Sequence, residues 1–393
     1  MKISVVSEPK QSKKNGIAIP VNEKGDIPSS VHSLLPQLSS SLKSIPFEGK
    51  YESVQSIYIE ETPVILIGYG KTEDLTNIKR RHIAAIAIQQ AEKINASSLS
   101  FIIDPFHTTG NEKEIQAITE GLILGNYSFN TYKKKKDKKN ISEMQLVTNT
   151  SSAKTKNAIN IGSITAESTN IARDLANTPA NDLRPNDFVS FIEKHFKKHN
   201  NIKINIIDEK KAKKLNMNSL LGVAQGSDQP AYLVELSYHP NKSEKPIAIV
   251  GKGVTFDTGG ISIKPSKSMS DMKADMGGAA AIIGTMNGIA QLKPNKNITA
   301  LIPIVENMCS ATAQRPGDVV TAMNGKTIEI LNTDAEGRLI LADALCYAVK
   351  QGAKQIIDIA TLTGACVVAL GEVSAGILGN NDTLINKITD IFR

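Results

Sequence analysis

The residues best suited to chemistry in this sequence are two acids, Asp334 and Glu336, in the stretch Leu331–Leu339. Gly337 and Arg338 follow them directly. Two carboxylates and a guanidinium so close in sequence are expected to serve ligands: a cation between the acids and an anion on the arginine. The stretch is therefore predicted to be a ligand-binding loop.

The flanking residues predict how this loop is held. Lys326–Leu331 alternates and is rich in β-branched residues, which favours a strand. Leu339–Val349 is rich in good helix formers and favours a helix. We therefore expect the acids and Arg338 in a strand-to-helix loop, where α/β proteins place their chemistry.

A second group of candidate residues lies upstream of that loop. The short apolar run Pro246–Val250 is predicted to be a buried central strand, and Lys252 and Asp257 follow where the run ends. Asp275 comes directly before the small-residue run Gly277–Gly284, which predicts a helix that packs closely against its neighbours. Polar residues thus follow the predicted core strand and precede the predicted helix.

Four acids are candidate ligands of one site: Asp257, Asp275, Asp334 and Glu336. Every histidine lies at or before His239, so a site in this region is expected to be rich in oxygen. Four ionised carboxylates share a small pocket only when cations neutralise them. Two interpretations stay open at this point. One is a site for two divalent cations (Zn²⁺, Mn²⁺ or Mg²⁺) with a bridging carboxylate, and the other is a structural salt-bridge network.

The composition is that of an ordinary globular protein. The chain has 393 residues, 40% hydrophobic and 22% charged, which favours two domains or one large one. Its net charge of +7 permits contact with nucleic acid without arguing for it.

The polar N-terminus does not resemble a signal peptide, and no membrane association is expected. Three cysteines without ligand spacing are predicted to be small buried residues in a reducing cytosol: Cys309, Cys346 and Cys366.

Strands and helices are predicted to alternate along the N-terminal half, which favours a mainly parallel sheet. The predicted strands there are residues 56–59, 63–68 and 98–103, and the predicted helices are 77–93 and 113–124. Ser151–Asn157 is polar and favours a linker or loop. A helix over residues 165–175 follows, and we place the domain boundary near it. Beyond it, a helix is predicted at 188–199 and strands at 202–207 and 232–238.

Three other patterns have simpler explanations than a functional site. Gly68–Gly70 follows a predicted strand but lacks the third glycine of a dinucleotide-binding loop. The basic run Lys133–Lys139 is more typical of a solvated loop than of a nucleic-acid surface. His195 and His199 are one helical turn apart, but lysines crowd them, which favours a solvated helix face over a metal site.

Taken together, these motifs resemble those of the leucyl aminopeptidase (cytosol aminopeptidase) family of metallopeptidases. The similarity rests mainly on Asn332–Leu339 (NTDAEGRL) and Val250–Ile261 (VGKGVTFDTGGI). Further matches follow in the right order at Met272–Met276, Pro316–Val319 and Asp358–Ala365. The resemblance covers residues 165–374 well, and the N-terminal half is similar in layout.

The resemblance implies an α/β fold with two domains, each a mainly parallel or mixed sheet flanked by helices. Residues 1–164 would form a macro-like N-terminal domain, residues 165–178 a linking helix, and residues 179–393 the catalytic metallopeptidase domain. Family members normally continue well beyond this length, so the chain is expected to be a fragment or truncated at its C-terminus. The family also implies a cytoplasmic homohexamer.

The resemblance further implies a dinuclear metal site, with Mn²⁺ or Zn²⁺ as the two divalent ions. Asp257 and Glu336 would bridge them, and Asp334 would complete one site. Lys252, as a neutral amine, and Asp275 would complete the other.

Catalytic and substrate-binding roles are also implied by the family. Lys264 would polarise the scissile carbonyl, and Arg338 would hold a bicarbonate ion that acts as general base. Four residues fall where the family lines its substrate pocket: Met272, Thr361, Leu362 and Gly364.

Two functions are thus expected for this chain. The first is a metal-dependent aminopeptidase that releases N-terminal residues, with a leucine-type preference, from peptides through a metal-activated water. The second is a truncated, inactive family member that acts as a binding module, with DNA as a less favoured partner.

Overall fold

The computed structural model describes residues 2–27, 29–38, 46–106, 111–134, 141–149, 152–241 and 243–392. The chain divides into two compact units, Met1–Asn170 and Ile171–Arg393. Each unit has its own mixed sheet with helices around it. The predicted α/β fold class is therefore confirmed.

The first unit is built on a six-stranded sheet. Its described elements are β1 (Lys2–Val6), β2 (Asn15–Asn22), α1 (Ser29–Leu34), β3 (Val54–Ile59), β4 (Thr62–Gly70), α2 (Asn77–Lys93), β5 (Ser98–Ile102), α3 (Glu112–Gly125), β6 (Glu143–Val147) and α4 (Ala153–Asn177), which continues into the second unit. The strand order is β1-β6-β5-β2-β4-β3. All neighbours are parallel except the β3–β4 hairpin.

Alternate residues of β4 pack into two different cores. Ile65 and Ile67 belong to the core that includes Ile83 of α2. Val64 and Leu66 belong to the core that includes Val31 of α1. Because successive side chains of a strand point to opposite faces, a strand that is apolar throughout has a core on each side.

The second unit contains a six-stranded sheet and a small hairpin. Its elements are α5 (Pro185–Phe196), β7 (Lys203–Ile207), α6 (Glu209–Lys214), α7 (Asn218–Ala224), β8 (Tyr232–Tyr238), β9 (Ile247–Gly251), β10 (Gly253–Asp257), a 3₁₀ helix (Ser266–Ala274), α8 (Gly277–Leu292), β11 (Ile298–Asn307), β12 (Val319–Thr321), β13 (Thr327–Glu329), α9 (Glu336–Lys350), β14 (Gln355–Ile359), α10 (Gly364–Leu370) and α11 (Asp382–Phe392). The order is β14-β9-β11-β8-β7, with β10 also paired to β11.

Lys252 interrupts what would otherwise be one long strand. β11 pairs in parallel with β9 through Leu301 and Val250, and then with β10 from Ile304 and Gly253 onward. At the break, the backbone N–H of Lys252 donates to the carbonyl oxygen of Ile359 in β14, at 3.0 Å. Since β14, β9, β10 and β11 are all parallel, their carboxyl ends lie at one edge of the sheet.

The predicted elements agree with the structure where the apolar pattern is strong. Helix α2 and strand β8 have the predicted bounds. The predicted loop at Ser151–Asn157 is wrong, because α4 begins at Ala153, with Lys154, Lys156 and Asn157 exposed; Ser151 lies outside the described residues. The helix predicted from Leu339 already begins at Glu336, and the strand before it shortens to β13, which pairs only with β12.

Two predictions about single side chains are also wrong. Cys309 is exposed, and Cys346 and Cys366 are half-buried, so the cysteines are not the fully buried residues predicted. His195 does not lie on a fully solvated face, because it is half-buried and its Nε2 lies 3.0 Å from Oδ1 of Asn287 in α8. His199 is half-buried beside it.

Two other expectations concern surfaces. Lys133 and Lys134 of the basic run are exposed, and the rest of that run lies outside the described residues. Within the described part of the chain, every helix is too short or too polar to cross a membrane.

Helices α2 and α3 of the first unit approach each other very closely. Two ion pairs join them: Arg80 with Glu114 at 2.6 Å and Arg81 with Glu120 at 2.7 Å. A Cβ added at Gly121 would lie only 2.1 Å from the carbonyl oxygen of Arg81. The contact is with backbone, which cannot rotate away.

We expect Gly121→Ala to lower the free energy of unfolding by about 1–3 kcal/mol, because overpacking exceeds the gain in helix propensity. Chemical denaturation monitored by circular dichroism measures it. Gly364→Ala is the control, since a Cβ there meets nothing within 4 Å. Equal stability of the two variants would contradict the close approach.

Candidate metal centre

Three of the predicted ligands meet at the carboxyl edge of the second sheet. Carboxylate oxygens of Asp257, Asp334 and Glu336 lie within 4.8 Å of one another. Asp257 ends β10, Asp334 lies in the loop before α9, and Glu336 is the first residue of α9. Asp257 and Glu336 are each only 2% exposed. Together with Asp275, which reaches the same place through a shared lysine, we call these four residues the acidic cluster.

Lys252 joins two members of the cluster. Its Nζ lies 2.8 Å from Oδ1 of Asp275 and 2.8 Å from Oε1 of Glu336, and it donates to the carbonyl oxygen of Thr361 at 2.9 Å. These three acceptors match the three N–H donors of an ammonium group. Burial acts to lower the pKa of Lys252, but the carboxylates of Asp275 and Glu336 outweigh it and raise that pKa above its ordinary value.

Lys264 joins the other two members. Its Nζ lies 2.9 Å from Oδ2 of Asp257 and 2.5 Å from Oδ1 of Asp334. Partial burial acts to lower the pKa of Lys264, but hydrogen bonds and charge from both carboxylates raise it overall. The Lys264 side chain is 20% exposed against 2% for Lys252, so Lys264 is the cluster lysine that solvent can reach.

Gly337 makes room for the side chain of Lys252. A Cβ at this position would lie 2.8 Å from both Cε and Nζ of Lys252. The glycine in the first turn of α9 therefore lets the lysine pass over the helix backbone to reach Glu336. This close approach explains why the two acids of the loop are followed by a residue without a side chain.

The two lysines do not satisfy all the carboxylate oxygens. Oδ2 of Asp275 and Oε2 of Glu336 are buried and have no hydrogen-bond partner among the described residues. Burial raises the pKa of Asp275 to about 6 and that of Glu336 to about 7, against the lowering effect of Lys252. Buried, unpaired carboxylate oxygens are costly, and hard divalent cations bind such oxygens. The donor set therefore fits metal ions better than a closed salt-bridge network.

The remaining predicted site residues differ in their burial and in their contacts. Thr361 is tied to it, because its Oγ1 donates to Oδ1 of Asp275 at 2.8 Å. Met272 is half-buried in the 3₁₀ helix, and Leu362 and Gly364 are exposed near the start of α10. Arg338 is exposed on the first turn of α9, and it has no ion pair with any described residue.

Sequence reasoning missed two residues that hold the cluster, Asn307 and Thr333. Asn307 ends β11, and its Nδ2 donates to Oδ1 of Asp257 at 2.8 Å. Thr333 directly precedes Asp334 and joins its loop to the loop after β10 through hydrogen bonds with Gly259 and Ser262. A polar residue at the end of the long apolar run Ile298–Val305 was the available signal for Asn307.

The raised pKa of Glu336 gives a pH prediction for the metal-free protein. A carboxyl group that ionises near pH 7 when folded, but near 4.5 when unfolded, stabilises the fold at low pH and loses that contribution as pH rises through about 7. Between pH 5 and pH 8, we expect the wild type to lose up to about 3 kcal/mol relative to Glu336→Gln.

Denaturation in the presence of a chelator at several pH values measures this difference. Glu329→Gln, which removes an exposed carboxyl group, is the control for loss of one charge. Excess Mn²⁺ should abolish the loss, because a bound cation favours the ionised carboxylate. A difference that stays constant across this pH range would contradict the buried, titrating Glu336.

Comparison with known proteins agrees with these features. Residues 170–392 match the catalytic domain of the cytosol aminopeptidase family, and residues 19–136 match its N-terminal domain. A probable cytosol aminopeptidase of Persephonella marina is 43% identical over 333 residues, which cover 84% of this chain and 67% of that protein. One from Pseudomonas fluorescens (strain Pf0-1) is 40% identical over 362 residues, covering 89% and 73%.

Solved structures give the same answer. A mutant of tomato leucine aminopeptidase superimposes with a TM-score of 0.88 at 31% identity, over 99% of this chain and 79% of that one. The bottromycin maturation enzyme BotP in complex with Mn superimposes with a TM-score of 0.79 at 29% identity, over 92% and 75%. From its sequence, its fold and its buried acidic cluster, the chain belongs to the cytosol aminopeptidase family.

Proposed function

We propose that this protein is a metal-dependent aminopeptidase that releases N-terminal amino acids, with a leucine-type preference, from short peptides. Family membership supports peptidase chemistry. The observation that carries the metal-dependent part is the acidic cluster, with its buried and unpaired carboxylate oxygens on Asp275 and Glu336.

Five residues would hold two divalent ions, Mn²⁺ or Zn²⁺. These residues are Lys252, Asp257, Asp275, Asp334 and Glu336, which offer four carboxylates and one amine as ligands. Ions bound there would supply the positive charge that lowers the pKa of a water molecule toward neutrality and makes it a nucleophile. The Mn complex of the similar enzyme BotP supports the choice of manganese.

Lys252 would have to lose a proton to act as a ligand. In the arrangement described above, its ammonium donates to three acceptors and its pKa is raised. Proton and metal ion therefore compete for the same nitrogen, and metal binding to this residue should release a proton.

Lys264 and Arg338 would act on the substrate and on the proton. Lys264 is a partly exposed cation beside Asp257 and Asp334, so its Nζ can donate to the carbonyl oxygen of the scissile bond as negative charge develops there. Arg338 is exposed on the first turn of α9, and its planar fork of donors suits a bicarbonate ion that would accept the proton from water.

The substrate side chain would lie near Met272, Thr361, Leu362 and Gly364. Met272 and Leu362 are apolar and reachable from solvent, which suits an apolar N-terminal side chain. Thr361 fixes this segment to the cluster through its hydrogen bond with Asp275.

Domain roles, location and assembly complete the proposal. Residues 1–164 would form the N-terminal domain, 165–178 the linking helix, and 179–393 the catalytic domain. The division of the fold between Asn170 and Ile171, inside α4, supports a boundary in that helix. The names of the relatives support a cytoplasmic location, and we propose a homohexamer as the working assembly.

Hydrolysis of leucyl p-nitroanilide by chelated protein, with and without added Mn²⁺ or Zn²⁺, tests the activity. We expect release only with metal, and none from the N-acetylated substrate, which lacks the free amine. Hydrolysis that survives chelation would contradict metal dependence. An absence of hydrolysis at every metal concentration would favour the inactive binding module instead.

The role of Lys264 predicts a particular kinetic change. Lys264→Gln should lower kcat by about 10²- to 10³-fold, because one donor to the developing oxyanion is lost, while KM changes little. Lys267→Gln is the matched control, since Lys267 is an exposed lysine of the same segment. Steady-state kinetics at saturating Mn²⁺ compare the two, and an equal kcat for both variants would refute the assigned role.

A further inference from the structure

Two loops border the acidic cluster. Asp257 is the last residue of β10, and the loop that follows it carries Lys264. A second loop carries Asp334 and leads to Glu336, the first residue of α9. The strand before the second loop, β13, pairs with β12 and is not part of the main sheet. The register of the sheet therefore does not fix the second loop relative to Asp257.

Thr333 connects the two loops through its side chain and backbone. Its Oγ1 donates to the carbonyl oxygen of Gly259 at 2.6 Å and accepts from the backbone N–H of Ser262 at 2.8 Å. Its own N–H donates to Oγ of Ser262 at 3.2 Å. Thr333 is only 4% exposed, so water competes little for these bonds.

Asn307 connects the same loops from the end of β11. Its Nδ2 donates both to Oδ1 of Asp257 at 2.8 Å and to the carbonyl oxygen of Thr333 at 3.1 Å. Its backbone carbonyl accepts from the N–H and from Oγ1 of Thr258, each at 3.0 Å. Asn307 is 4% exposed. Its amide group contacts both Asp257 of the cluster and the loop that carries Asp334.

We propose that Thr333 and Asn307 are positioning residues that set the distance between Asp257 and the pair Asp334 and Glu336. This inference rests on the proposed function, in which that distance decides whether one metal ion can bind acids from both loops. Thr333 hydrogen-bonds to Gly259 and Ser262 of the other loop. It would therefore act by positioning the carboxylates and not by contacting the substrate.

Calorimetric titration of the metal-depleted protein with Mn²⁺ tests the proposal. Thr333→Val keeps the branched shape but removes the hydroxyl, and it should weaken Mn²⁺ binding by about 10- to 100-fold, as expected for residues that orient metal ligands. Thr333→Ser, which retains the hydroxyl, should restore most of the affinity.

Thr299→Val is the matched control. Thr299 is also 4% exposed and lies on β11, but its Oγ1 contacts Nε2 of His239 rather than the cluster. The control should leave Mn²⁺ affinity unchanged, whatever it does to thermal unfolding. Ser262→Ala removes only the bond from the Thr333 N–H, and a smaller loss of affinity is expected. This milder variant keeps the test decisive if Thr333→Val does not fold.

The outcomes separate the two proposals. Wild-type protein that binds no Mn²⁺ would overturn the metal-dependent function and this inference with it. Wild-type protein that binds Mn²⁺, with the same affinity retained in the folded Thr333 and Ser262 variants, would overturn the positioning role alone. Loss of affinity in Thr299→Val equal to that in Thr333→Val would also overturn it.

Discussion

The confinement of four carboxylates to one largely buried place is the constraint on which the rest of the catalytic unit depends. Lys252 and Lys264 each lie between two of these acids, so every member of the acidic cluster contacts a lysine. Two ammonium groups offset only half of the formal charge of four ionised carboxylates. Burial raises the pKa of Asp275 and Glu336, and oxygens of both remain without hydrogen-bond partners among the described residues. Divalent cations relieve this imbalance, which is why the cluster favours metal-dependent chemistry.

The surrounding fold can be understood as the support for this cluster. The interruption of the long strand at Lys252 places an otherwise unfavourable buried lysine at the carboxyl edge of the sheet. Gly337 allows the first turn of α9 to lie against that lysine, and Asn307 hydrogen-bonds to Asp257 from the neighbouring strand. The strand break and the glycine make room for Lys252 within the cluster, and the amide holds Asp257 in place. None of the three needs to contact a substrate to be required.

Much of this could be predicted from the sequence, and the misses have physical causes. The four acids of the cluster and the two lysines that contact them were found because their types and motifs carry the signal directly. Helix α2 and strand β8 were found from strong apolar patterns. Thr333 and Asn307 were missed because their importance lies in hydrogen bonds between residues distant in sequence, such as Asn307 and Asp257. The start of α4 was predicted as a loop because polar composition alone does not distinguish a loop from the exposed face of a helix. Helix α9 begins three residues early because Glu336 itself is favoured at a helix N-terminus.

Anomalous X-ray diffraction from crystals of the protein grown with Mn²⁺ tests the central claim most directly. The account predicts two manganese peaks among the carboxylates of Asp257, Asp275, Asp334 and Glu336, with Lys252 bound to one of them through its nitrogen. A structure at saturating Mn²⁺ with no peak between these acids, and with both lysines still paired to them, would contradict it.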